Sequence, residues 1–174
     1  MSRYLIVVDM QKDFVDGALG TKEAVGIVPA VKARIEKALA DGEKIIFTRD
    51  THRENYLETQ EGKNLPVEHC IKGTEGWRII PELRAFEEQA VHIFDKPTFG
   101  SRKLGKFLKK QEDVESVTVI GLCTDICVIS NALLVKAFLP EVPIAVEAAC
   151  CAGVTPASHE TALAAMKSCQ IEIK

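Results

Sequence analysis

Nothing in these 174 residues approaches the run of about 18 consecutive apolar residues that a membrane-spanning helix needs, so no span is expected. A signal-peptide core is missing too, because the apolar run Tyr4–Val8 meets Asp9 after five residues. There is no CxxC pair among the six cysteines at 70, 123, 127, 150, 151 and 169. That counts against an all-thiolate zinc site and against a thioredoxin-like redox motif. With no secretory segment the thiols read as free, and the expected compartment is the cytoplasm. No G-x-G-x-x-G or P-loop follows any apolar run, and Gly17 and Gly20 are too sparse to cradle a phosphate. A nucleotide- or flavin-binding module therefore loses its main support. Blocks of Lys and Arg are also absent: the net charge is -3, and the densest basic stretch, Lys103 to Lys110, is spaced like the wet face of a helix. No nucleic-acid partner is expected.

What is present is the composition of an ordinary folded protein, 47% hydrophobic and 27% charged, at a length that suits one domain spanning residues 1–174. Short β-branched runs, apolar on both faces, recur at Tyr4–Val8, Lys44–Thr48, Ala90–Phe94, Ser116–Ile120, Val142–Val146 and Ile171–Ile173. Such runs are expected of strands buried in a parallel sheet. Between them Val28, Val31, Ile35, Ala38 and Leu39 form one helical stripe, with Pro29 near its start and Gly42 past its end. Further helices are expected over Arg102–Lys110, about Asp125–Leu139 and Ala157–Ser168, the last entered through Thr155-Pro156. Strand–helix alternation of this kind predicts an α/β fold, a six-stranded parallel sheet between two layers of helices.

The stretch from Asp50 to Trp77 breaks the rhythm and holds His52, Glu58, Glu61 and His69, which marks it as functional. In an open parallel sheet the ligand site lies at the carboxyl ends of the strands. There the sequence delivers Asp9, then Asp50, then Asp95 and Lys96, then the run GLCTDICV at 121–128. Cys127 falls near a helix N-terminus, where free N–H groups and Lys96 should lower its pKa and Asp9 could take its proton. It is equally readable as a small buried hydrophobe, with Asp9 as a turn residue and Lys96 as a loop lysine. Asp50 and His52, two apart on leaving a strand, have the spacing to share a metal with His69 and a carboxylate, or to make a polar loop with an Asx-turn.

Five blocks in order settle more than any one of them: VVDMQKDF (7–14), TRDTH (48–52), LPVEHCIKGTEGW (65–77), DKPTFGS (95–101) and GLCTDICV (121–128). Together they resemble the isochorismatase-like cysteine hydrolases, in the nicotinamidase/pyrazinamidase branch. The resemblance implies an Asp9–Lys96–Cys127 triad, with Cys127 the nucleophile. It also implies a cis peptide between Leu122 and Cys123 that aims the N–H groups of Cys123 and Cys127 at an oxyanion. It assigns Phe14 and Leu65 to sandwich a substrate ring, and Asp50, His52 and His69 to hold a divalent ion, zinc, iron or manganese. Many members have a further histidine where this chain has only Glu58 and Glu61, and the spacing favours Glu61 as fourth ligand. The EAAC segment and His159 are expected to be structural. The implied activity is hydrolysis of nicotinamide to nicotinate and ammonia, as in NAD salvage, by a homo-oligomer whose partner is a small amide. The alternatives are a metal-free cysteine amidohydrolase for a carbamoyl or ureido substrate and, in another class, a non-enzymatic thiol sensor or binding module.

Overall fold

The first strand, β1 (Ser2–Val8), is apolar on both faces, and it sits in the middle of the sheet because only there can both faces be buried. Tyr4, Ile6 and Val8 point into one core, Leu5 and Val7 into the other. A computed structural model describes all residues, Met1–Lys174. A short turn of helix, α1 (Lys12–Val15), comes next, then α2 (Lys22–Ala40) and β2 (Lys44–Asp50). The segment to Trp77 holds α3 (Gln60–Asn64) between two single 3₁₀ turns, Tyr56–Glu58 and Glu75–Trp77. The chain continues through α4 (Pro81–Arg84), β3 (His92–Lys96), α5 (Arg102–Lys109) and β4 (Val114–Leu122). A π-type turn, Thr124–Val128, runs straight into α6 (Ile129–Phe138), followed by β5 (Ile144–Ala152), α7 (Pro156–Ser168) and the short β6 (Glu172–Ile173).

All strand pairs are parallel, in the order β3-β2-β1-β4-β5-β6. Leu104 and Leu108 of α5, Ala132 and Val135 of α6, and Leu163 and Met166 of α7 fill one core. Ala24, Val31, Ile35 and Ala38 of α2 fill the other, with Leu83 of α4. Three layers result, as the alternation predicts. The strand order reverses between β1 and β4, and the carboxyl ends of those two strands form the crevice where such sheets bind ligands. Gly121 makes the two ends meet: at φ +118, a Cβ on it would lie 2.1 Å from the Val8 carbonyl oxygen.

Several boundaries differ from the sequence expectation. The helix α2 begins at Lys22, capped by Thr21, whose Oγ1 accepts from the Ala24 N–H at 3.0 Å. Pro29 therefore lies inside the helix and not near its start. The edge strand β3 begins two residues later than its apolar run, because a 3₁₀ turn over Glu87–Gln89 precedes it and pairing starts at His92 opposite Ile46. Asp95 and Lys96 are consequently the last residues of the strand. Longer than expected, β5 takes in the whole EAACCA segment, and a register shift on β4 between Val119 and Gly121 lets Cys151 pair with Gly121.

Candidate active site

Asp9 follows β1 directly, at φ 47, a left-handed conformation that aspartate tolerates better than most residues and that turns the chain out of the sheet. Its side chain is fully buried. One carboxylate oxygen accepts from Thr48 Oγ1 at 2.7 Å, and the other lies 2.6 Å from Lys96 Nζ. The same ammonium reaches Cys127 Sγ at 3.4 Å and the Thr98 carbonyl at 3.2 Å. Lys96 is 1% exposed, so the alternative of a loop lysine is excluded. Three strands thus bring Asp9, Lys96 and Cys127 into one contact chain.

The electrostatics of this group differ from the sequence expectation in one respect. Burial pushes the Cys127 thiol well above its ordinary value, the Asp9 charge pushes the same way, and Lys96 only partly opposes them. This runs against the expected lowering of the thiol pKa, because one ammonium does not offset removal from water beside a carboxylate. Burial also raises Asp9, with Lys96 pulling down and Asp50 pushing up. For Lys96, burial opposes the charge, but Asp9, Cys127 and Asp50 together hold the ammonium charged. The arrangement sets a thiol pushed toward its protonated form beside a carboxylate of raised basicity, so a proton donor and a candidate acceptor are already paired. Iodoacetamide at pH 7 should therefore modify the exposed Cys169 before Cys127. Labelling of Cys127 should still be climbing at pH 9, the ordinary pKa of a thiol, and Lys96→Ala should slow it further. Peptide mapping of the rates decides; a Cys127 rate that levels off below neutrality would contradict the protonated thiol.

The bond between Leu122 and Cys123 is cis, as expected. The N–H of Cys123 is taken by no other group of the protein, whereas its carbonyl accepts from Ile126 and Val128. Cys123 faces the cavity beside Cys127, and burial pushes its thiol up to about 12.

The four residues Asp50, His52, Glu61 and His69 converge, with ligand atoms all within 4.8 Å of one another. His52 Nε2 is 2.8 Å and His69 Nε2 3.4 Å from Asp50 Oδ2, and they lie 3.6 and 3.8 Å from Glu61 Oε1. Glu58, the other candidate carboxylate, is exposed in the 3₁₀ turn and outside the group. Burial alone would raise Asp50, but hydrogen bonds from the two imidazoles and the charge on Lys96 take it below the usual carboxylate range. The donors suit a divalent cation on two observations. Asp50 Oδ1 is buried with no hydrogen-bond partner. His69 Nδ1 bonds the Val67 carbonyl at 2.7 Å, which fixes the ring with Nε2 facing the group.

The first sequence block does more than its catalytic candidate suggests. Gln11 accepts the Asp50 N–H at 2.7 Å and donates to the Asp50 and Trp77 carbonyls, both at 2.8 Å. Asp13 accepts the N–H of Cys70, next to His69, at 2.8 Å. Phe14 packs on His69 with ring centres 5.5 Å apart, and buried Tyr56 sits edge-on to both imidazoles while donating to the Leu65 carbonyl at 2.8 Å. Sequence reasoning misses Gln11, Asp13, Thr48 and Tyr56, although alternation from Asp9 through Gln11 to Asp13 is a usable signal. It also misses Phe99, in the DKPTFGS block. A cavity of about 530 Å³ joins the two groups: it is lined by Cys123 and Cys127 at one side, by the four-residue donor group at another, and by Phe14, Leu65 and Phe99. Elsewhere His159 on α7 is hydrogen-bonded to Thr124 at 2.7 Å, behind the Cys127 turn.

Residues 3–173 match the Isochorismatase domain. The pyrazinamidase of Pyrococcus horikoshii, whose crystal structure is a complex with zinc, is 33% identical, with 100% of this chain and 99% of that one covered at a TM-score of 0.84. The pyrazinamidase/nicotinamidase from Streptococcus mutans UA159 is 30% identical, with 99% and 100% covered at a TM-score of 0.87. The nicotinamidase/pyrazinamidase of Mycobacterium tuberculosis is 28% identical over 144 residues, 75% of this chain and 76% of that protein. The chain belongs to the isochorismatase family, among the amidohydrolases of its nicotinamidase/pyrazinamidase branch.

Proposed function

We propose that this protein hydrolyses nicotinamide to nicotinate and ammonia through a thioester on Cys127. The observation that carries the reading is the single cavity shared by Cys127 and the group Asp50, His52, Glu61 and His69. A carbamoyl or ureido substrate would need only the first; a pyridine carboxamide uses both. Asp50, His52, Glu61 and His69 would hold a divalent ion, zinc being well matched to mixed nitrogen and oxygen ligands. When bound, the ion supplies a Lewis-acidic point for the pyridine nitrogen. Phe14 and Leu65 flank the ring, and the carboxamide is presented to Cys127.

Asp9 takes the thiol proton as Sγ attacks the carboxamide carbon, and Lys96, held by both partners, balances the charge as it moves. The oxygen that becomes negative is met by the backbone N–H groups of Cys123 and Cys127. The carbon–nitrogen bond breaks as Asp9 returns the proton, and ammonia leaves. Asp9 then takes a proton from water, hydroxyl adds to the thioester, and nicotinate departs as the proton returns to Cys127. The raised pKa of Asp9 suits both the taking and the giving. The test is ammonia release from a panel of amides including nicotinamide, pyrazinamide, benzamide and a ureido acid. Turnover of nicotinamide well above benzamide supports the reading, and turnover of the ureido compound alone removes it.

A further inference from the structure

Between the two halves of the contact chain lies one fully buried amide, Asn131, in the first turn of α6. Its Nδ2 donates to the Cys127 carbonyl at 2.8 Å and to the Phe99 carbonyl at 3.0 Å, and its Oδ1 accepts the Ser101 N–H at 2.8 Å. Both amide hydrogens are spent on carbonyls of two different segments. One segment is the π-type turn bearing Cys127. The other is the loop from Lys96 to Ser101, which supplies the ammonium, the Thr98 carbonyl that orients it, and Phe99 on the cavity wall. No other side-chain hydrogen bond ties that loop to the Cys127 turn apart from the Lys96–Cys127 contact itself.

We infer that Asn131 is a positioning residue that holds the Lys96–Ser101 loop in register with Cys127, setting the 3.4 Å approach of Lys96 Nζ to Sγ and the seat of Phe99. Physical necessity supports this. The Phe99 carbonyl and the Ser101 N–H lie where no strand or helix pairs the loop with the Cys127 turn, so a side chain on the α6 run that offers two donors and one acceptor can bind both and still bond the Cys127 carbonyl four residues back. An asparagine amide supplies that set, with its donor pair directed at the two carbonyls. Ser101 in turn caps α5, its Oγ accepting the Leu104 N–H at 3.1 Å, so the same amide anchors the loop at its helix end.

This inference rests on Cys127 and Lys96 working together in the proposed amide hydrolysis, and the experiment separates the two. In Asn131→Leu, which fills the space but makes none of the three bonds, kcat should fall on the order of 10- to 100-fold, the cost of a misplacement near 1 Å. KM should change less than kcat, because Asp50, His52, Glu61, His69 and Phe14 make no bond to Asn131 and of the cavity wall only Phe99 follows the loop. Cys127 should also be alkylated several-fold more slowly than in the native protein, since Lys96 favours the thiolate, while Cys169 labels at its native rate. That second readout needs no substrate. If Asn131→Leu does not fold, Asn131→Asp, which keeps the acceptor for Ser101 and loses both donors, takes its place with the same expectations. Native kcat and native Cys127 labelling in a folded variant that has lost only thermal stability would overturn the inference. Inactivity of the native protein on nicotinamide would overturn the substrate reading and leave the labelling comparison to decide on Asn131.

Discussion

Cys127→Ala is expected to lose nicotinamide turnover by about 10⁴-fold or more while the chain still folds. The fold survives because the change removes one buried sulfur from a site that is 4% exposed, at a cost of about 1–2 kcal/mol. Losing it also frees Lys96 of a contact without stranding it, since Asp9 stays 2.6 Å away. Asp9→Asn should lose nearly as much activity, because residues acting as a unit fail together, but its effect on stability differs. It leaves the Lys96 ammonium buried without its closest counter-charge, and breaking a buried pair this way costs about 3–5 kcal/mol. The melting temperature therefore separates the two inactive variants. Cys123→Ala should keep most activity, since the proposed part of residue 123 is its backbone N–H. Rate assays on folded protein decide: an active Cys127→Ala, or a folded but dead Cys123→Ala, would move the chemistry to another group.

The layers of the fold and the edge on which the site lies are written in the sequence because both arise from local pattern. Strands buried on two faces read as continuous apolar runs, and the residues just past the ends of such parallel strands share one edge of the sheet. Asp9, Asp50, Lys96 and Cys127 are accessible that way. Pairing information is less local. The start of β3 depends on its partner β2, and the length of β5 on a register shift opposite Gly121, so neither boundary shows in the strand itself. The same holds for Gln11 and Asn131: each spends both amide hydrogens and its amide oxygen on backbone groups, most of them in remote segments, and no periodicity marks it. The ionisation of Cys127 escapes the sequence for a related reason. A helix start and a lysine are visible there, whereas complete burial against a carboxylate is a property of the assembled crevice.

Stripping the protein of divalent metal is expected to lower kcat/KM for nicotinamide by about 10²-fold or more while the chain stays folded. A neutral carboxamide gives Cys127 few handles, so orientation must come from the ring, and loss of a fixed point on the ring nitrogen costs what other misplacements cost. The fold persists because the loop that carries the proposed ligands is tied elsewhere. Gln11 clamps the Asp50 backbone, Asp13 holds the Cys70 N–H, and Tyr56 braces both imidazoles. An ion at 100 times its dissociation constant adds about 2.7 kcal/mol of stability. For a chain of this size that is roughly 2–4 °C per kcal/mol, so chelation should lower the melting temperature by about 5–10 °C and no more. His52→Ala should mimic chelation. Glu61→Ala should weaken metal retention more than Glu58→Ala, because only Glu61 stands within reach of the two histidines. Benzamide, which lacks the ring nitrogen, should be a poor substrate before chelation and change little after it. Elemental analysis should find about one ion per chain in the native protein and less in His52→Ala and Glu61→Ala. Metal-free protein that turns over nicotinamide at the native rate would remove the ion from the mechanism, and native metal content in His52→Ala would place it at other residues.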